Sequence, residues 1–208
     1  MNKRDIKSLH YISGILITIF IGLHLFNHAY AILGVEKHVV LMSALRKIYR
    51  NPYVEPLLLG AVVVQVISGI KLLFKKQTRK GFYDKLHVYS GLYLAFFLVI
   101  HVSAVLTGRF HGFDTNFYYS ATTLNFFPFY MFFFPYYILA IFSFFGHIAA
   151  IHYKKMKKNI LSISPLVQAN LILLLGTIVV IMILLGQTNF FMGVSFPTEY
   201  IKLVKSFL

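Results

Sequence analysis

The chain has 208 residues, of which 58% are hydrophobic and 12% charged, with a mean hydropathy of +0.73; soluble domains carry about 25% charged residues, so a water-soluble enzyme is excluded. The formal charge of +14 is that of a membrane protein whose basic residues sort by side, and no nucleic-acid partner is expected. The absence of cysteine excludes disulfides, thiolate chemistry, iron–sulfur ligation and covalent c-type haem from this chain.

Five apolar stretches, 9–33, 54–74, 86–108, 130–153 and 165–187, each reach the roughly 20 residues needed to cross a hydrocarbon core. They predict an all-α integral membrane bundle of five transmembrane helices, with residues 1–208 forming one domain. Thirteen of the 20 Lys and Arg residues fall at the N-terminus, between Lys71 and Lys85, and between Lys154 and Lys158. The positive-inside rule then puts the N-terminus in the cytoplasm and the C-terminus outside, in a multi-pass protein of the cytoplasmic (inner) membrane. The basic start, the apolar run and Ala29-Tyr30-Ala31 resemble a cleavable signal. The run is too long for that and carries histidines, so it is read as the first span.

The first span continues from a basic tail, with Ser13 and Gly14 near its start and His24, Asn27 and His28 further along. In the 34–52 loop, Val40, Leu41, Leu45 and Ile48 alternate with Arg46, Lys47 and Arg50, which predicts a short helix lying in the interface. Asn51-Pro52 ends it, and Pro56 opens the second span, where Gln65 is the one strongly polar side chain at depth and requires a partner. Asp84 is expected to cap the third span. The 108–126 connection reads as the longest outer loop, and Pro128 and Pro135 should delay or kink the aromatic fourth span. Ser164-Pro165 announces the fifth, an N-cap followed by proline at the first helical position. The tail after Gln187 reads as short and outer-facing.

One pattern occurs twice. Leu9-His10-x2-Ser13-Gly14-x9-His24 and Leu86-His87-x2-Ser90-Gly91-x9-His101 each separate two histidines by a distance that returns almost to the same helical face, about 21 Å further along. Two such helices running in the same direction would bring His24 opposite His101 at one depth and His10 opposite His87 at another. Neutral imidazoles facing each other from two helices are the axial ligand set of a b-type haem. Left without a metal, a buried imidazole pair would cost several kcal/mol in unmet hydrogen bonds. His10 and His87, nearer the membrane surface, suit hydrogen bonding to a quinone, a haem propionate or a headgroup, and His28 suits a supporting or quinone-site role. His147 lies at the level of Gln65, so a second haem there would pair a strong ligand with a weak one. His38, His111 and His152 read as loop or interface residues.

The five-span order, the repeated motif on the first and third spans and a histidine late in the fourth resemble the dihaem cytochrome b membrane subunit of succinate:quinone oxidoreductases and fumarate reductases. The resemblance covers the whole membrane core. It implies a distal haem held by His24 and His101, and a proximal haem position mapping onto Gln65 and His147, where glutamine departs from the family's histidine. It also implies a membrane anchor that passes electrons between membrane quinone and a flavoprotein with an iron–sulfur subunit on the cytoplasmic face, the dicarboxylate chemistry residing in those partners. The basic segments 71–85 and 154–158 are available for their docking, and a homo-oligomer of the complex is compatible with the sequence. An outer quinone site is expected near His24, His28 and Glu55; the inner end beside His10, Ser13, His87 and Ser90 is its alternative. A stand-alone transmembrane cytochrome b, or a haem-free histidine protein, is the competing reading.

Overall fold

The computed structural model describes residues 2–74 and 81–208; Lys75, Lys76, Arg79 and Lys80 of the expected docking loop lie outside them. Among the described residues are eight α-helices: α1 (Lys3–Tyr30), α2 (Val35–Tyr49), α3 (Val54–Leu73), α4 (Phe82–Phe110), α5 (Phe117–Asn125), α6 (Phe129–Lys155), α7 (Pro165–Gln187) and α8 (Thr198–Lys205). Five of them, α1, α3, α4, α6 and α7, are long and apolar enough to cross a membrane. They match the five expected spans, and the chain is a multi-pass membrane protein.

Helix starts follow local chemistry. Asn2 accepts hydrogen bonds from the backbone N–H groups of Arg4 and Asp5 while the Asp5 carboxylate accepts from the Asn2 N–H, a reciprocal cap that begins α1 well before its apolar run. At α7 the Ser164 hydroxyl oxygen accepts from the Val167 N–H, with Pro165 in the first turn, as expected. Gly81, not Asp84, occupies the N-cap of α4. Asp84 falls inside the first turn, where a carboxylate is favoured, and its Oδ1 lies 2.8 Å from Lys154 Nζ, tying α4 to α6. Pro128 stands at the N-cap of α6 and Pro135 inside it.

The spans form a ring in which α1 packs on α3 and α7, α3 on α4, α4 on α6, and α6 on α7. An apolar core lies where α1, α6 and α7 meet, around Ala29, Ile141, Phe144, Phe145, Val180 and Ile183. Small residues permit it. A β-carbon on Gly186 would sit 2.5 Å from the Ile32 backbone nitrogen, and one on Gly176 would sit 2.7 Å from Phe145 Cβ. Elsewhere the spans expose large apolar side chains such as Ile12, Ile19, Leu57, Val63 and Phe96. Such a belt suits a hydrocarbon surround, since helices satisfy their own backbone polar groups there.

The short helices α2, α5 and α8 gather at one end of the ring, hereafter the capped end. Here one expectation is corrected. The 108–126 connection and the tail are not simple loops, since α5 and α8 form within them. The short helix expected in 34–52 is present as α2, and one face of it packs on the bundle, with His38 and Met42 buried and Tyr49 meeting Phe20 of α1 edge-on at 5.4 Å. Among the described residues, the largest fully buried side chains, Tyr200, Phe117, His38 and Gln187, all belong to the capped end or the last residue of α7. Tyr200 donates to the Asp114 carbonyl at 2.8 Å, tying α8 to the segment before α5. The cap lines one end of the space inside the ring and positions the site.

Candidate functional site

Inside the ring, toward the capped end, lies a cavity of about 890 Å³ with mostly apolar walls, within the roughly 300–1,000 Å³ of cofactor and ligand sites. His24 of α1 and His101 of α4 line it, their ring centroids 6.0 Å apart and their planes at 69°. The expectation drawn from the repeated motif, that these two imidazoles meet, holds in this geometry. Phe20 stacks on His24 at 5.7 Å and Phe97 on His101 at 4.9 Å, so each ring is braced one turn back on its own helix. The rings of His10, His28, His38, His147 and His152 each have a hydrogen-bond partner, whereas among the described residues none is found for the rings of His24, His101 and His87. The His24 and His101 rings line the cavity without a hydrogen-bond partner, so both are poised for a group that enters it.

The spacing limits what that group is. Two imidazole nitrogens, each about 2 Å from a metal placed between them, set the ring centroids about 6 Å apart. Among the described residues no three or more His, Cys, Asp or Glu side chains are arranged to hold a bare ion. A metal that brings its own equatorial ligands, needing only two axial nitrogens, fits this donor set. The cavity's apolar walls suit the flat faces of such a macrocycle.

A polar cluster rims the cavity at the capped end. His28 meets His24 edge-on at 4.5 Å, and its Nδ1 accepts from the Gln187 amide at 3.1 Å. His38 packs 5.5 Å from His28 and accepts from the Asn27 amide at 3.2 Å, leaving His38 Nδ1 and Asn27 Oδ1 buried without partners. Burial, and after it the Arg46 guanidinium, lower the His38 pKa to about 4, so His38 is neutral. Glu55 at the start of α3 is paired with Arg109 at the end of α4. Arg46 pairs with Asp114 at 2.7 Å, and Arg50 donates to the Thr115 hydroxyl at 2.8 Å. Thus His28 and Glu55, both expected near an outer quinone site, do line the same cavity as His24.

At the other end the two copies of the motif build the same device twice. In the first, Ser13 donates to Gln65 Oε1 at 2.6 Å, the Gln65 amide donates to His10 Nε2 at 3.3 Å, and His10 Nδ1 donates to the Ser68 hydroxyl at 2.9 Å. These partners fix the His10 tautomer. In the second, His147 Nδ1 donates to the His87 carbonyl at 3.1 Å and lies 3.3 Å from the Ser90 hydroxyl, with the His87 and His147 rings 4.5 Å apart. The glycine after each serine leaves room for the visitor. A β-carbon on Gly14 would sit 3.4 Å from Gln65 Nε2, and one on Gly91 would sit 3.0 Å from His147 Cε1. Gln65 and His147 therefore occupy equivalent seats on different helix pairs, α1–α3 and α4–α6. Gln65 and His147, expected at one level, are each held by the serine of their own pair.

Several residues of the site escaped the sequence reading. His38, expected at a loop or interface, is fully buried, and Asn27, Arg46, Arg50, Arg109 and Gln187 all line the cavity. The available signal was the alternation of arginines with apolar residues in 40–50, which fits a helix folded onto the bundle as well as one lying on a membrane. His152 donates to Gln168 at 2.7 Å across the α6–α7 turn, and His111 lines the cavity mouth.

Comparison with known protein families, curated proteins and solved structures gives no match to this chain.

Proposed function

We propose that the chain is a haem b-binding membrane subunit that exchanges electrons with quinone, of the kind that anchors a succinate dehydrogenase or fumarate reductase. The observation that carries this reading is the His24–His101 pair, 6.0 Å apart in a large apolar cavity with no hydrogen-bond partner for either ring among the described residues. A haem bound between them supplies one-electron chemistry. His24 and His101 contribute neutral nitrogen donors, Phe20 and Phe97 hold the two rings in place, and the apolar walls exclude water. His28 and Glu55, on the same cavity wall, are the groups able to exchange protons with a quinone at the capped end.

In this reading the N-terminal end faces the cytoplasm, in accord with its basic residues. The flavoprotein and iron–sulfur partners, expected from the family resemblance, dock there. Gln65 leaves the second haem position with His147 alone as a strong ligand, so the proposal is one haem per chain. Pyridine haemochrome analysis of the purified protein tests it: about one b haem per chain is expected, and a chain purified intact with no haem, and unable to take it up, would overturn the reading.

A further inference from the structure

Three guanidinium groups, Arg46, Arg50 and Arg109, line the capped end of the cavity. Two carboxylates answer them. Glu55 pairs with Arg109, and Asp114, half exposed, pairs with Arg46. Arg50 has only a neutral partner, the Thr115 hydroxyl at 2.8 Å, and no carboxylate partner among the described residues. Burial, then Arg46 and Arg109, push its pKa down, outweighing Tyr49 and Asp114, which act the other way, so like charges prevail around a cation that is already partly withdrawn from water. A charge in that position calls for an anion.

The place of that cation decides which anion. Tyr49, next to Arg50, meets Phe20 edge-on, and Phe20 stacks on His24. This contact chain brings the end of α2 to the level of the imidazole pair. Arg109 lies eight residues beyond His101 on α4, about 12 Å along the helix. The unmatched guanidinium and the two free imidazoles thus share one cavity.

Resting on the haem reading above, we infer that Arg50, with Arg46 beside it, is a carboxylate-binding site that receives a haem propionate. Arg50 then acts as a positioning residue: it orients the cofactor, and its charge favours the reduced haem. A planar guanidinium holds a carboxylate through two parallel hydrogen bonds, which a lysine does not reproduce.

The test uses the full-length purified chain and two readouts. In redox titration, Arg50→Gln should keep the haem content and low-spin spectrum of the wild type while its midpoint potential shifts to lower values. Arg50→Lys should keep most of the wild-type potential. In rebinding to the haem-depleted chain, the wild type should bind haem roughly tenfold or more tighter than haem dimethyl ester, and Arg50→Gln should lose most of that preference. The ester comparison separates a haem carboxylate from a free anion bound near Arg50. An unchanged potential in Arg50→Gln, or equal loss of affinity for the ester in both proteins, would overturn the inference while leaving the haem reading intact. A wild-type chain that takes up no haem would overturn both. Should Arg50→Gln fail to fold, the wild type's indifference to esterification would itself overturn the inference.

Discussion

Gln65 stands against Gly14 and Ser13 as His147 stands against Gly91 and Ser90. The repeated Ser-Gly pair is thus a seat for one polar side chain from the neighbouring span. One of the two seats carries a residue that ligates iron well and the other an amide that instead donates to His10.

Gln65→His should therefore create a second imidazole in a seat shaped for one. The account expects haem content to rise above that of the wild type, with a second component in the redox titration. If instead Gln65→His leaves haem content unchanged, the two seats do not face a common ligand. His147→Ala in the wild-type background should leave haem content unchanged, since one strong ligand alone does not retain a low-spin haem.

The contact of α7 with the end of α1 should respond to a single methyl group. In Gly186→Ala the new β-carbon meets backbone atoms of Ala31 and Ile32 at 2.5–2.7 Å, which cannot rotate away, so stability should fall by about 1–3 kcal/mol. Gly60→Ala, with nothing within 4 Å of its β-carbon, should be neutral or up to about 1 kcal/mol stabilising. Thermal unfolding of the two variants in the same detergent checks this, and equal melting temperatures would contradict the packing.

Much of this was legible in the sequence, and the reasons differ by element. Span positions follow from apolar length alone, and the face that His24 shares with His10, and His101 with His87, follows from their spacing, because both are properties of a single helix. The partner of Gln65 is not such a property. Its depth was readable, but whether it meets Ser13 or His147 depends on which helix lies beside α3, and the ring puts α1 there. For the same reason Arg46, Arg50 and His38 read as surface residues. Only the fold of α2 over the ring, shown by the Tyr49–Phe20 contact, carries them to the cavity.

His38 should make stability depend on pH. Its folded pKa, about 4, lies below the ordinary 6.5. Below about pH 6.5 the unfolded chain takes up a proton that the folded chain refuses, so stability is full above that pH and is lost as pH falls toward 4. At about 1.4 kcal/mol per pH unit, the loss amounts to a few kcal/mol at most. Melting temperatures between pH 7 and 4 should fall less steeply in His38→Gln than in the wild type; parallel slopes would show that His38 does not titrate in this way.

The proposed proton exchange at the capped end predicts that His28→Ala or Glu55→Gln leaves the haem spectrum unaltered while slowing haem oxidation by quinone. A group relaying a proton contributes about 10²–10⁴-fold. Unchanged rates in both variants would move the quinone to the other end of the ring, beside His10, Ser13, His87 and Ser90.

The central claim is that His24 and His101 hold one haem between them. The most direct measurement is low-temperature electron paramagnetic resonance of the oxidised protein, compared with His24→Ala and His101→Ala of unchanged helical content. The account predicts a low-spin ferric signal with two nitrogen axial ligands in the wild type and its loss in each variant. A low-spin signal that persists unchanged in either variant would contradict it.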